Sequence, residues 1–215
     1  MLERQKITLK KILNVYTIIG LTLWIIASIL IITPIFPQIW YRINPSATSQ
    51  EVKNLTDNNS TTFKDLLTKY HPGDNNLPPL DPSLPTENRV MITKIGVDSA
   101  INEGFDYDTA LSKGVWRVGD YGTPSQNNVP IILASHRFGY IWWTAEKRKL
   151  VSFYSLPDTQ VGDTIDIIWE QRKYTYKIYK AEENSEITDY KADLILYTCK
   201  YFNSPVRIFR YAERV

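Results

Sequence analysis

Leu194-Ile195-Leu196-Tyr197-Thr198-Cys199 is the stretch whose reading decides the fold. It is a short apolar, β-favouring run and predicts a buried strand. The strand ends on the only cysteine in 215 residues. Eight residues later Arg207 opens a second apolar run, Arg207-Ile208-Phe209-Arg210-Tyr211-Ala212. Upstream, Ile131-Ile132-Leu133-Ala134-Ser135-His136-Arg137 is another apolar strand, and it ends on a histidine. A thiol, an imidazole and a guanidinium at strand edges can serve as nucleophile, proton partner and oxyanion donor. The thiolate is the reactive species, so such a cysteine needs cationic neighbours. Taken singly, each residue has a plainer use as a small buried hydrophobe, a polar strand end or a solvated edge. The order His136, Cys199, Arg207 within one small β-domain is what makes the set informative.

Working outward, short strands separated by turn signals recur across residues 89–215, enough chain for one core. Candidate strands cover 90–95, 97–101, 129–135, 164–170, 173–182, 194–199 and 206–211. Tyr174-Thr175-Tyr176-Lys177-Ile178-Tyr179 alternates with period two, as a half-buried strand does. Glu170-Gln171-Arg172-Lys173 reads as a hairpin turn. Residues 108–113 suit one short helical turn closed by Gly114. The pattern is mainly β with short helices, hence a barrel or a sandwich.

The front of the chain sets the compartment. No Asp, Glu, Lys or Arg occurs between Lys11 and Arg42. Residues 12–33, as a helix, span ~33 Å at about 1.5 Å per residue, the thickness of a bilayer core. Pro34 and Pro37 end it. Arg4, Lys6, Lys10 and Lys11 precede the span, so residues 1–11 stay cytoplasmic and the remainder crosses. Trp40 and Tyr41 suit the far interface. The run is longer than a signal-peptide core, and Pro45-Ser46-Ala47 is a poor cleavage site, so an uncleaved single-pass anchor is the preferred reading. Residues 34–88 read as an extracellular stalk. Six of the twelve prolines fall between residues 44 and 88. Residues 63–70, capped by Thr61 or Thr62, have a helical look there. His71 lies in this polar stretch as a linker residue.

A single cysteine excludes an internal disulfide, so the exported domain depends on its core, which six Trp, fourteen Tyr and seven Phe can fill. A net charge of +2 argues for no nucleic-acid partner. Two histidines and one cysteine do not make a zinc constellation. Glu182, Glu183, Glu186 and Asp189 cluster in a predicted loop, read first as a solvated acidic loop.

These residues resemble the sortase family of bacterial cell-surface cysteine transpeptidases. Leu196-Tyr197-Thr198-Cys199 is similar to the family's Leu-x-Thr-Cys strand end. Arg207 occupies the place of its arginine, and Ser135-His136-Arg137 that of its Gly-His-Arg, with serine for glycine. Gly114-Val115-Trp116, Gly122-Thr123-Pro124 and Val161-Gly162-Asp163-Thr164-Ile165 are similar to its approach to the histidine and to its turn into a later strand. The resemblance implies a closed barrel of about eight strands over residues 89–215. It implies His136, Cys199 and Arg207 as catalytic residues, with Thr198 shaping substrate binding. It implies cleavage of an LPxTG-type sorting signal in exported proteins through a thioester. Transfer then goes to an amine acceptor, a cell-wall precursor or a pilin lysine. Some relatives bind calcium near the loop equivalent to Glu182, Glu183 and Glu186, and hard oxygen ligands suit that ion. Some carry an Asp-Pro lid pair before the first strand; Asp81-Pro82 is read here as linker. Two rivals stand beside this reading. A wall-acting L,D-transpeptidase keeps Ser-His-Gly-Cys together, whereas His136 and Cys199 are far apart in sequence. A non-catalytic β-barrel binding module, a degenerate sortase, would carry an ordinary thiol.

Overall fold

The computed structural model describes residues 14–32, 77–104, 106–126, 129–140, 142–202 and 204–215. Among them, eight strands close into a mixed barrel. They are β1 (Arg89–Ile92), β2 (Val97–Asn102), β3 (Val115–Arg117), β4 (Ile131–Ala134), β5 (Thr164–Trp169), β6 (Arg172–Asn184), β7 (Leu194–Cys199) and β8 (Arg207–Arg214). The order around the barrel is β1-β2-β3-β4-β7-β8-β6-β5, closed by β1 on β5. Closure leaves no free sheet edge. The β2–β3 and β4–β7 pairs are parallel and the others antiparallel.

Strand alternation divides the apolar residues between two cores. Leu194, Leu196, Ile208 and Ala212 point inward and join Val90, Ile92, Ile165, Ile167, Tyr174, Tyr176 and Ile178 in the barrel interior. Ile195, Tyr197, Phe209 and Tyr211 point outward with Ile132 and Ala134. That outer face is covered by α2 (Tyr107–Lys113), through Ala110 and Leu111, and by Tyr121, Ile187 and Ala192. All six residues of β7 are therefore buried, which is why its sequence is uniformly apolar and not alternating.

Helix α1 (Asn14–Ile32) has a mean hydropathy of 2.5 and is long and apolar enough to cross a membrane. A signal sequence near an N-terminus has the same properties, so α1 is compatible with a single-pass anchor without setting its orientation. The expected helix at 63–70, His71, Trp40 and Tyr41 lie outside the described residues.

Several expected boundaries move. The first strand stops at Ile92, because residues 93–95 form a 3-10 turn ended by Gly96 in the left-handed region. Strand β4 begins at Ile131, and Ser135 and His136 follow it. Strand β6 continues to Asn184 and β8 to Arg214, since the two pair along their length around a bulge at Ile178/Lys180. Strand β3, Val115–Arg117, is only three residues long and was not read as a strand. Helix α3 (Ala145–Val151), capped by the Thr144 hydroxyl accepting from the Lys147 N–H at 3.1 Å, was not expected either. Helix α2 begins one residue before the expected 108–113, with Asp106 as its cap. Gly114 ends it at φ 151°, where a Cβ would lie 2.8 Å from both Ser99 Oγ and the Val151 carbonyl. The chain must pass between β2 and α3 there, and only glycine fits.

The hairpin after β5 has a two-residue loop, Glu170-Gln171, with φ of 51° and 54°. Positive φ at both positions gives the twist that antiparallel strands favour, but non-glycine residues meet a steric cost there. Glu170→Asn is expected to raise stability by up to about 1 kcal/mol, read as a higher thermal midpoint. A lower midpoint would contradict this account of the turn. The same hairpin holds residues 78–84. The Asp81 N–H donates to the Gln171 carbonyl at 2.9 Å, and Gln171 Nε2 donates to the Leu84 carbonyl at 3.1 Å. The Arg172 guanidinium donates to the Pro78 carbonyl.

Candidate active site

The site begins with β4 and β7. Ala134 pairs with Tyr197 in parallel register. The register continues past the strand end: the Thr198 hydroxyl donates to the Ser135 carbonyl at 2.8 Å, and the Arg137 guanidinium to the Lys200 carbonyl. His136 comes two residues after Ala134, as Cys199 comes two after Tyr197. On the other side of β7, Cys199 pairs directly with Arg207. Cys199 and Arg207 thus lie opposite one another on strands about 4.8 Å apart, and His136 follows the end of the strand on the other side of β7. Alternation puts Cys199 and Arg207 on the outer face, continuing the row of Tyr197 and Phe209.

All three are buried: His136 is 4% exposed, Cys199 6% and Arg207 4%. Burial disfavours the imidazolium and lowers the His136 pKa to about 4, so the resting ring is neutral at neutral pH. Its Nε2 lies 3.2 Å from the Tyr140 hydroxyl, and the two rings meet edge to face at 5.3 Å. The Arg207 guanidinium donates to the Ser204 carbonyl in the β7–β8 loop, which fixes one arm of the fork.

The low His136 pKa has a consequence for stability. The unfolded ring takes a proton near pH 6.5, whereas the folded ring resists until about pH 4. Between these values the unfolded chain binds more protons, so stability falls as pH drops. Above pH 6.5 the contribution is fully present. Relative to His136→Asn, the natural chain is expected to lose on the order of 3 kcal/mol across this window. Denaturant unfolding of both proteins at pH 7.5, 5.5 and 4.5 reads it; a pH-independent difference would contradict a buried neutral ring.

Other expected site residues fall elsewhere. Thr198 is 1% exposed and points into the barrel, opposite in direction to Cys199. Its hydroxyl pins the end of β4 to β7, so it places His136 and Cys199 side by side without facing a substrate. Glu182 accepts from the Tyr211 hydroxyl at 2.7 Å and pairs with Lys180 at 3.0 Å. Glu183 pairs with Lys200 at 2.5 Å, and Glu186 is exposed beyond β6. Glu182 and Glu183 thus have cationic or phenolic partners. Among the described residues no group of three or more His, Cys, Asp or Glu is gathered around a common point. Asp81-Pro82 sits at the β5–β6 hairpin, whereas Arg207 pairs with Asn184 at the other end of β6. The pair is therefore not a lid over the site.

Sequence reading missed Tyr140, and it gave Arg137 a place in the motif beside His136 but no role of its own. Arg137 closes the end of β4 onto β7. Tyr140 lies four residues after His136 in a loop, and no periodicity marks such a contact.

No family model matches the chain, and no curated protein matches it. Solved structures do. Streptococcus agalactiae sortase C1 superposes with a TM-score of 0.52 at 17% identity, covering 78% of this chain and 91% of that one. The lid mutant of the same enzyme gives 0.52 at 18% identity, covering 80% and 93%. Sortase A from Corynebacterium diphtheriae, also a lid mutant, gives 0.50 at 20% identity, covering 61% and 70%. Identities this low speak for architecture. With the closed eight-stranded barrel and its strand order, they identify the domain as having a sortase-like fold.

Proposed function

We propose that this chain is a membrane-anchored cysteine transpeptidase that acts on exported proteins at the cell surface. The observation that supports it best is the register that pairs Cys199 with Arg207 and lays β4, which His136 follows, along the other side of β7. Cys199 attacks the carbonyl of a sorting-signal peptide bond as its proton passes to His136. The imidazolium gives that proton to the departing amine as the C–N bond breaks, leaving a thioester on Cys199. An incoming amine loses a proton to His136, attacks the thioester and releases the thiol. Arg207 offers fixed N–H donors to the charge that grows on the carbonyl oxygen.

The substrate class is an LPxTG-type sorting signal, and the acceptor is a primary amine of a cell-wall precursor or a pilin lysine. A span such as α1 would hold enzyme and membrane-tethered substrates at one surface and raise their effective concentration. The test uses the full chain in nanodiscs with a library of Leu-Pro-x-Thr-Gly peptides and glycine- or lysine-type amines. New amide products that require both the amine and Cys199 support the proposal. A folded protein whose thiol alkylates readily yet gives no product with any peptide–amine pair contradicts the substrate class. The burial of Cys199 favours one second reading, a sortase-like binding module, and an unreactive thiol in the native protein would support it.

A further inference from the structure

We propose that Tyr140 is the positioning residue for His136, accepting the Nε2–H so that Nδ1 is the nitrogen that exchanges protons with Cys199 and the amines. This rests on the transpeptidase reading above and adds a fourth residue to its site. Tyr140 Oη stands 3.2 Å from His136 Nε2. A neutral imidazole has one N–H and one lone pair, so the bond at Nε2 determines what Nδ1 can do. If the phenol donated to Nε2, Nδ1 would already carry a hydrogen and could not receive the thiol proton. With Nε2–H donating to the phenol oxygen, the S–H bond breaks, an Nδ1–H bond forms and the Nε2 bond persists in the imidazolium. That proton leaves later to the amine nitrogen as the C–N bond breaks, and the ring returns to its starting tautomer.

The loop is built to hold this phenol still. Tyr140 stacks on Trp142 at 4.7 Å and meets Trp143 edge to face at 5.4 Å. The Trp143 N–H donates to the Tyr140 carbonyl at 3.0 Å. Gly139 has φ +70°, and a Cβ there would lie 2.4 Å from Trp143 Cε3, so the turn closes on the indole only as glycine. Burial and the nearby Asp108 raise the Tyr140 pKa to about 12, which keeps the phenol neutral through the working pH range. Charged groups near this pair include Arg137, next to His136 in the chain, and Asp108, which acts on Tyr140.

The test compares the full natural chain with Tyr140→Phe, which keeps the ring and its stacking. Cys199 is the sole thiol, so iodoacetamide labelling against pH reports the Cys199–His136 pair whether or not a substrate is known. Nitrogen NMR of histidine-labelled protein carrying His71→Gln reads the His136 tautomer directly. The expected results are an Nε2–H tautomer, a labelling profile displaced by about one pH unit or more in Tyr140→Phe, and transpeptidation lowered roughly ten- to a hundredfold. The thermal midpoint should move little. An Nδ1–H tautomer, or a Tyr140→Phe protein with the natural labelling profile, would overturn the proposal even where transpeptidation is observed. A displaced profile in a chain that transfers no peptide would uphold Tyr140 while the substrate reading fails.

Discussion

Cys199→Ala is expected to abolish transpeptidation, lowering the rate at least about ten-thousandfold, because every bond change in the scheme passes through the sulfur. Cys199→Ser should be almost as inactive. A serine hydroxyl is far less acidic than a thiol, and a neutral His136 with a pKa of about 4 is too weak a base to activate it. Both variants should fold. Cys199 lies at the end of β7, and the alanine change removes one sulfur from a site flanked by the intact ladders to β4 and β8. The loss is expected to be about 1 kcal/mol. Circular dichroism with a thermal scan separates the two effects. Surviving amine-dependent product formation in Cys199→Ala would remove the thiol from the mechanism.

Arg207→Ala should lower kcat/KM about 100- to 1,000-fold, the usual effect of deleting an oxyanion donor. Arg207→Lys is expected to lie nearer the alanine variant than the natural chain. One arm of the guanidinium is already committed to the Ser204 carbonyl, so the residue must bond the loop and face the reacting carbonyl at once. A planar fork does both; a single ammonium on a flexible stem must choose. The comparison has to include alkylation of Cys199. If Arg207 acts on the carbonyl oxygen, labelling by a small alkylator should change much less than peptide transfer. Equal loss in both assays would mean that Arg207 acts by placing the thiol or lowering its pKa.

The site was legible in the sequence where chemistry and strand pattern coincide. Residues 194–199 are apolar because β7 is covered on both faces, and the run ends on the cysteine that occupies the outward position. Both 131–134 and 207–212 share that double burial, so their boundaries could be read to within a few residues. Strand β3 could not, since three residues with Val115 and Trp116 packed into different cores show no period. Helix α3 has no fully buried residue and hence no apolar stripe; the Thr144 cap was its only mark. Tyr140 was hidden for a different reason. Its partner is close in sequence, but the contact depends on how Gly139, Trp142 and Trp143 fold the loop back on itself. The carboxylates near Glu182 show the converse. In sequence they form an acidic cluster, whereas in three dimensions Lys180, Lys200 and Tyr211 bond two of them.

The most direct test of the account is the intact mass of the full chain after mixing with a sorting-signal peptide in the absence of any added amine. Cys199 should gain the mass of the peptide's N-terminal acyl fragment, as a thioester that neutral hydroxylamine removes and that Cys199→Ala never forms. Acylation of any other residue, or an unmodified chain while peptide is being cleaved, would contradict a covalent mechanism through Cys199.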